Sequence, residues 1–137
     1  MLAALLLAVL PGAAPITDLS VTLANVRSDR GVLRLCVTSD PDNFPNCTDD
    51  ARAVTRTVAA SVRTVRFEGL PSGDYAVAVI HDENDNARLD RFAGIPREGF
   101  GFSRNPPLGF GPPRFSAARF PVDGDAAMQQ VRLRYLL

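Results

Sequence analysis

The chain has 137 residues, enough for one domain at roughly 100–200 residues per domain. Fifteen basic side chains balance fifteen acidic ones, which argues against nucleic acid as a partner, because such binders carry a basic excess. A hydrophobic share of 46% excludes a disordered chain, and a single histidine with two cysteines excludes a zinc site of four His/Cys ligands.

Met1 to Leu10 carry no polar side chain, and Pro11-Gly-Ala-Ala14 follow. An apolar run ending in small residues reads as a secretory signal peptide over residues 1–14. It is too short to cross a bilayer, which takes about 20 apolar residues. The alternative, a buried first strand, lacks the alternation a strand shows. No cysteine lies near the run, so a lipid anchor on an N-terminal cysteine is excluded. The mature chain is expected to start between Pro15 and Asp18 and to form a single domain over residues 15–137.

Beyond the leader the dominant period is two. Apolar and hydroxyl residues alternate in Leu19-Ser-Val-Thr-Leu23, and Val32 to Thr38 is a second run rich in Leu and Val. Cys36 and Cys47 flank a turn-forming segment and are expected to pair in an exported chain; two separate buried thiols are the alternative. The pair is not Cys-x-x-Cys, which argues against a redox motif. Asp49 to Ala60 is ambiguous: Asp50 suits a cap for a short helix over Ala51–Val58, whereas Thr55, Thr57 and Val58 suit a strand. Val62 to Phe67 is a weaker strand signal.

Tyr75 to His81 places Tyr75, Val77, Val79 and His81 on one face and Ala76, Ala78 and Ile80 on the other. Ala118 to Val122 reads as another short strand. Val131 to Leu137 is the clearest half-buried one, with Arg132 and Arg134 toward water. Turn signals at Ser28–Gly31, Pro71–Gly73 and Asp123–Asp125 separate these runs. Six or seven short strands in one domain predict an all-β protein, a single sandwich of mostly antiparallel strands. Val77, Val79, Val131, Leu133 and Tyr135 are expected between its two sheets.

Two further segments point toward chemistry. In His81-Asp-Glu-Asn-Asp-Asn-Ala-Arg-Leu-Asp90, the oxygen side chains of Asp82, Asn84, Asn86 and Asp90 alternate along a loop. Such spacing lets side chains converge on calcium, with a carbonyl near Arg88 as a further ligand. Ala87 stands where a calcium loop wants glycine, and Ala93 where a bidentate glutamate would sit. The alternative is an Asn/Asp-rich turn whose side chains bond their own backbone. The second segment, Gly94 to Phe115, is a long connection rich in Gly, Pro and Phe. Phe100, Phe102, Phe110 and Phe115 either close one end of the sandwich or form a partner surface. Glu98 could lend a carboxylate to the neighbouring loop.

The order Phe67-Glu-Gly-Leu-Pro-Ser-Gly-Asp-Tyr-Ala76, then His81-Asp-Glu-Asn84, Asn86 and Leu89-Asp90, then Gly94-Ile-Pro-Arg-Glu-Gly-Phe-Gly-Phe-Ser103 and Pro112-Pro-Arg-Phe115 resembles domain of unknown function 2141. That is an uncharacterised family of exported bacterial proteins, and the likeness spans most of the mature chain. In the family the loop usually reads Asp-Glu-Asn-Gly-Asn-Gly, so Asp85 and Ala87 replace both glycines here. The resemblance implies export and a β-sandwich, and no established activity. The Leu70-Pro-Ser-Gly-Asp-Tyr75 turn also resembles transthyretin-like and carboxypeptidase-regulatory sandwiches, which mostly bind or support.

An enzymatic reading needs His81 beside a nucleophile such as Ser103. The hydroxyisourate hydrolases among the transthyretin-like sandwiches use several histidines and a C-terminal Tyr-Arg-Gly-Ser, whereas this chain has one histidine and ends Arg134-Tyr-Leu-Leu137. The expected function is therefore a non-catalytic binding or structural module of the bacterial envelope, periplasmic or secreted, with calcium as its candidate cofactor. Its partner is an envelope protein or a small ligand. A metal-assisted hydrolase with its site between loop 82–90 and segment 94–115 is the alternative.

Overall fold

The computed structural model describes residues 15–86, 91–92 and 95–137. The expected leader lies outside the described residues, as do Arg88 and Asp90 of the expected calcium loop. The chain begins with β1 (Ile16–Ala24) and β2 (Val32–Thr38), then a 3-10 turn (Asp50–Arg52) leads into β3 (Ala53–Ala59). Next come β4 (Thr64–Pro71) and the long β5 (Gly73–Asp82). Two-residue strands β6 (Arg91–Phe92) and β7 (Ile95–Pro96) precede β8 (Gly99–Phe102). One helical turn, α1 (Phe115–Ala118), precedes β9 (Phe120–Val122) and β10 (Ala126–Arg132).

These strands form two facing sheets and a small β6–β7 hairpin. One sheet has the order β10-β1-β4, with β1 antiparallel to β4 and parallel to β10. The other has the order β3-β2-β5-β8, antiparallel throughout, and β9 joins the start of β5 beside β8. The all-β sandwich read from the alternation is what the chain forms.

The alternation places the core. Leu19, Val21 and Leu23 of β1 meet Leu33, Leu35 and Val37 of β2 and Val77 and Val79 of β5 across the interface. Val131 and Leu133 are fully buried there and Tyr135 packs against the cluster, while Arg132 is exposed, so the expected register holds. Each buried Leu, Val or Phe side chain contributes about 1.5–3 kcal/mol.

The second face of β5 is covered as well. Ala76 and Ala78 are small enough for Phe44, Ala118, Phe102 and Phe115 to pack over them as a second apolar cluster. The Phe44 ring stands 5.8 Å from Phe102 and 6.1 Å from Phe115, both edge-on. A disulfide between Cys36 and Cys47 ties the loop that carries Phe44 to the outer face of β2. The bridge thus holds a lid over the outer face of one sheet, while the core between the sheets lies on the other side of β2.

Three departures from the sequence reading have physical causes. The ambiguous stretch after Asp49 is a strand, because β3 pairs with β2 along seven residues from Val32↔Ala59 to Thr38↔Ala53; the helical signal survives only as the 3-10 turn. The last strand starts at Ala126 and its ladder with β1 ends at Arg132. Leu133 N–H still donates to Ala24 O, but Arg134 exchanges both backbone hydrogen bonds with Phe100 of β8, at 2.8 and 3.0 Å. The chain therefore crosses from one sheet to the other and laces that side of the sandwich. Gly94 to Phe115 is also less irregular than it reads, since it contains β7 and β8. A Cβ on Gly99 would meet the Tyr135 ring, and one on Gly101 would stand 2.7 Å from Val131 Cγ1. Glycine at these two positions is what lets the crossing segment pass.

Candidate functional site

The end of β5 carries the chemistry-bearing residues of the sequence motif. His81 is fully buried. Its Nε2 lies 2.8 Å from Arg30 O, an acceptor, so Nε2 carries a proton. Its Nδ1 lies 2.8 Å from the Tyr135 hydroxyl, which in turn accepts from Arg27 N–H at 3.2 Å. In the neutral ring every donor then meets an acceptor: Arg27 N–H to Tyr135, Tyr135 O–H to His81, and His81 N–H to Arg30 O. Burial pushes the Tyr135 phenol up, which keeps that hydroxyl protonated.

Asp82 is fully buried and accepts from Arg34 Nε at 3.1 Å. Its other carboxylate oxygen accepts from Asn86 N–H at 3.2 Å, and its carbonyl from Asp85 N–H at 3.3 Å. Those two bonds fold residues 82–86 into an Asx-type turn. Asp85 has φ +50° and accepts from Arg34 Nη2 at 2.8 Å, while Arg34 Nη1 reaches Thr57 Oγ1 at 3.3 Å. One guanidinium on β2 thus grips both carboxylates of the turn. Asn84 and Asn86 are exposed on the same turn.

Glu83 is the most heavily partnered acid here. Arg27 donates to one carboxylate oxygen at 2.8 and 2.5 Å, and Ser28 and Arg30 donate to the other at 2.9 and 3.0 Å. Burial works to raise this carboxyl, but the donors from Arg27, Ser28 and Arg30 outweigh it and lower it from 4.5 to about 2. Arg27 also stacks 4.4 Å from the centre of the Tyr135 ring and reaches Leu137 O at 2.6 Å. The buried Glu98 accepts from Glu83 N–H at 3.2 Å, so it does lend a carboxylate to the loop, to its backbone. An open depression of about 430 Å³ lies over this corner, with Arg27, Glu83, Asn84 and Glu98 in its walls.

Among the described residues no three His, Cys, Asp or Glu side chains cluster as metal ligands do. Ser103 is fully buried; it accepts from Val77 N–H at 2.9 Å and donates to Ala118 O at 2.5 Å. It stands beside Val77 on β5, whereas His81 lies opposite Gly99, so the structure does not bring this pair together. The phenylalanines divide. Phe102 and Phe115 pack on the second cluster, Phe100 is half-buried, and Phe110 is wholly exposed. The sequence reading missed Arg27, Arg34 and Tyr135 as organisers of this corner. The carboxylates and the imidazole they hold are 48 or more residues away, and no local pattern marks them.

Fold and corner together define an all-β domain stapled by one disulfide, whose central strand ends in a carboxylate-rich turn clamped by arginines. The chain belongs to the family of uncharacterized proteins conserved in bacteria, domain of unknown function 2141, which matches residues 21–130. No curated protein and no solved structure matches it. The match runs from inside β1 almost to the end of β10 and takes in the corner's residues from Arg27 to Glu98, with Tyr135 and Leu137 beyond it. Asp85, at a position where the family loop usually has glycine, keeps the left-handed backbone that glycine favours, with its carboxylate held by Arg34.

Proposed function

We propose that the protein is an exported, non-catalytic binding or structural module of the bacterial envelope, periplasmic or secreted. The Cys36–Cys47 bridge carries this reading, because such bonds persist in oxidising compartments and are rare in the cytosol. The commitment of His81 and Ser103 to buried structural hydrogen bonds supports a non-catalytic role. The test is a count of reactive thiols in protein extracted from cells under denaturing, non-reducing conditions, together with fractionation of the envelope. No reactive thiol and recovery in the envelope or medium is the expected result. Two reactive thiols in a cytosolic protein would overturn it.

The same reading includes weak calcium binding by the loop through Asp82, Asn84 and Asn86, with Arg88 and Asp90 as the remaining sequence candidates. Arg34 already holds the Asp82 carboxylate, so calcium competes with a guanidinium. The affinity expected is at the weak end of extracellular modules, about 10⁻³ M. Thermal melting in millimolar calcium and in chelator measures it. A small rise with calcium, absent in Asp82→Asn, is expected; identical curves would leave the loop as an arginine-clamped turn.

A further inference from the structure

We propose that the 104–114 loop is a membrane-surface anchor, inserting Phe110 and Leu108 into the anionic phospholipid face of a bilayer. The inference rests on the envelope reading and deepens it by naming the partner. Its tip, Pro106-Pro-Leu-Gly-Phe-Gly-Pro-Pro113, is shaped in advance. Gly109 and Gly111 bridge across Phe110, and a proline pair on each side fixes the backbone and removes N–H donors. Phe110 has 112% relative exposure and Leu108 has 49%. An apolar ring held wholly in water on a shaped support points to a use outside the fold.

Both ends of the loop are fastened. The Asn105 amide donates to Gln130 O at 2.9 Å and accepts from Arg132 N–H at 2.8 Å, which docks the start of the loop on β10. At the other end Phe115 packs into the second apolar cluster. A tip fixed at both ends loses little freedom on insertion.

Charge selects the surface. Residues 99–122 contain no Asp or Glu and include Arg104, Arg114 and Arg119. Arg104 reaches Arg119 O at 3.4 Å, and Arg132 and Arg134 line one shallow hollow with Leu108. Among the described residues none of these five arginines forms an ion pair. Two large exposed apolar side chains at one loop tip fall far short of the roughly 800 Å² per partner of a stable protein interface. They suffice for shallow insertion into a bilayer whose anionic headgroups attract the arginines of this acid-free stretch.

The experiment uses the full purified protein and sedimentation with vesicles of phosphatidylglycerol and phosphatidylcholine, or of phosphatidylcholine alone. Binding to the anionic vesicles only, falling as salt rises from about 0.05 to about 0.5 M, is expected. The double variant Phe110→Ser/Leu108→Ser should weaken it about tenfold or more, and Arg114→Gln/Arg119→Gln several-fold. The chain has no tryptophan, so Phe110→Trp gives a single reporter whose emission should shift to the blue with anionic vesicles. No sedimentation at low salt would overturn the proposal, as would binding indifferent to the double serine variant. A blue shift with a lipid-free envelope protein fraction but not with vesicles would assign the tip to a protein partner and also overturn it. Purified protein answers for the loop whatever the cell does, so a failure here leaves the thiol and fractionation results for the envelope reading standing on their own.

Discussion

The corner at the end of β5 and the 104–114 flank both carry arginines, and they treat them in opposite ways. At the corner Arg27, Arg30 and Arg34 each meet a carboxylate of the turn that follows β5. On the flank Arg104, Arg114 and Arg119 share an acid-free stretch of chain with the exposed Phe110, Arg132 and Arg134 line a hollow with Leu108, and none of the five forms an ion pair among the described residues. The corner spends its charge inside the molecule, holding a turn and the C-terminal segment in place. The flank leaves charge and apolar surface facing outward. Holding the fold and, in the role proposed for the flank, meeting a membrane thus fall to different places, although both lie along the crossing segment from Val131 to Tyr135.

That segment gives the largest expected effect. Gly99→Ala puts a methyl group into the Tyr135 ring, forces the ring off His81 and leaves a buried imidazole nitrogen without its donor. A loss of about 4 kcal/mol is expected in denaturant unfolding, from overpacking and the unsatisfied group together. A change below about 1 kcal/mol would mean that the tail is not clamped by His81, and the corner would lose its distinction from the flank.

Asp82→Ala should follow, at about 2–3 kcal/mol. It removes the buried carboxylate that caps the turn and pairs with Arg34, though Asp85 and Thr57 still hold the guanidinium. Arg114→Ala on the flank should change stability by less than about 0.5 kcal/mol. Equal effects from the two variants would erase the contrast.

Acid sharpens the comparison further. Glu83 is lowered from 4.5 to about 2 in the folded chain, by donors that outweigh its burial. The folded state therefore holds fewer protons than the unfolded state in this window. The stability contributed is complete above about pH 4.5 and is lost as pH falls toward 2. Thermal melting between pH 6 and about pH 2.5 should show a decline, and Glu83→Gln should flatten part of it while lowering the neutral-pH midpoint. A Glu83→Gln profile parallel to wild type would show the decline to come from elsewhere, with the half-buried Asp18 and Asp40, also held low by arginine hydrogen bonds, as the next groups to examine.

The corner and the flank were unequally legible in the sequence. β2 and β5 declare themselves because their inward residues are Leu, Val and Tyr at period two, with the buried His81 continuing the same face. β8 hides: its inward positions are Gly99 and Gly101, so the usual signal is inverted and only the outward Phe100 and Phe102 are apolar. The parallel pairing of β1 with β10 joins residues more than a hundred positions apart and has no local marker. In the corner, the run from His81 to Asn86 announces a polar turn but not its occupants. Whether Asp82 serves a cation or an arginine depends on Arg34, placed beside it by the β2–β5 register.

The smallest expected effect concerns Phe110, and its smallness is what makes it informative. A side chain at 112% relative exposure contributes almost nothing to the folded state. Phe110→Ser should therefore shift the unfolding free energy by less than about 0.5 kcal/mol, and the Cys36–Cys47 bridge and the corner should be untouched. Removing a large apolar group from water also lowers the tendency to self-associate, so the variant should elute at the same or a smaller apparent size in gel filtration at high concentration. Glu83→Gln would do the reverse, lowering stability without changing elution. If Phe110→Ser instead cost about 2 kcal/mol, the ring would have to be packed in solution, against Leu108 or the shallow hollow beside Arg132 and Arg134. The flank would then be a second structural region, and the division of labour between the two sets of arginines would fail at its outward-facing half.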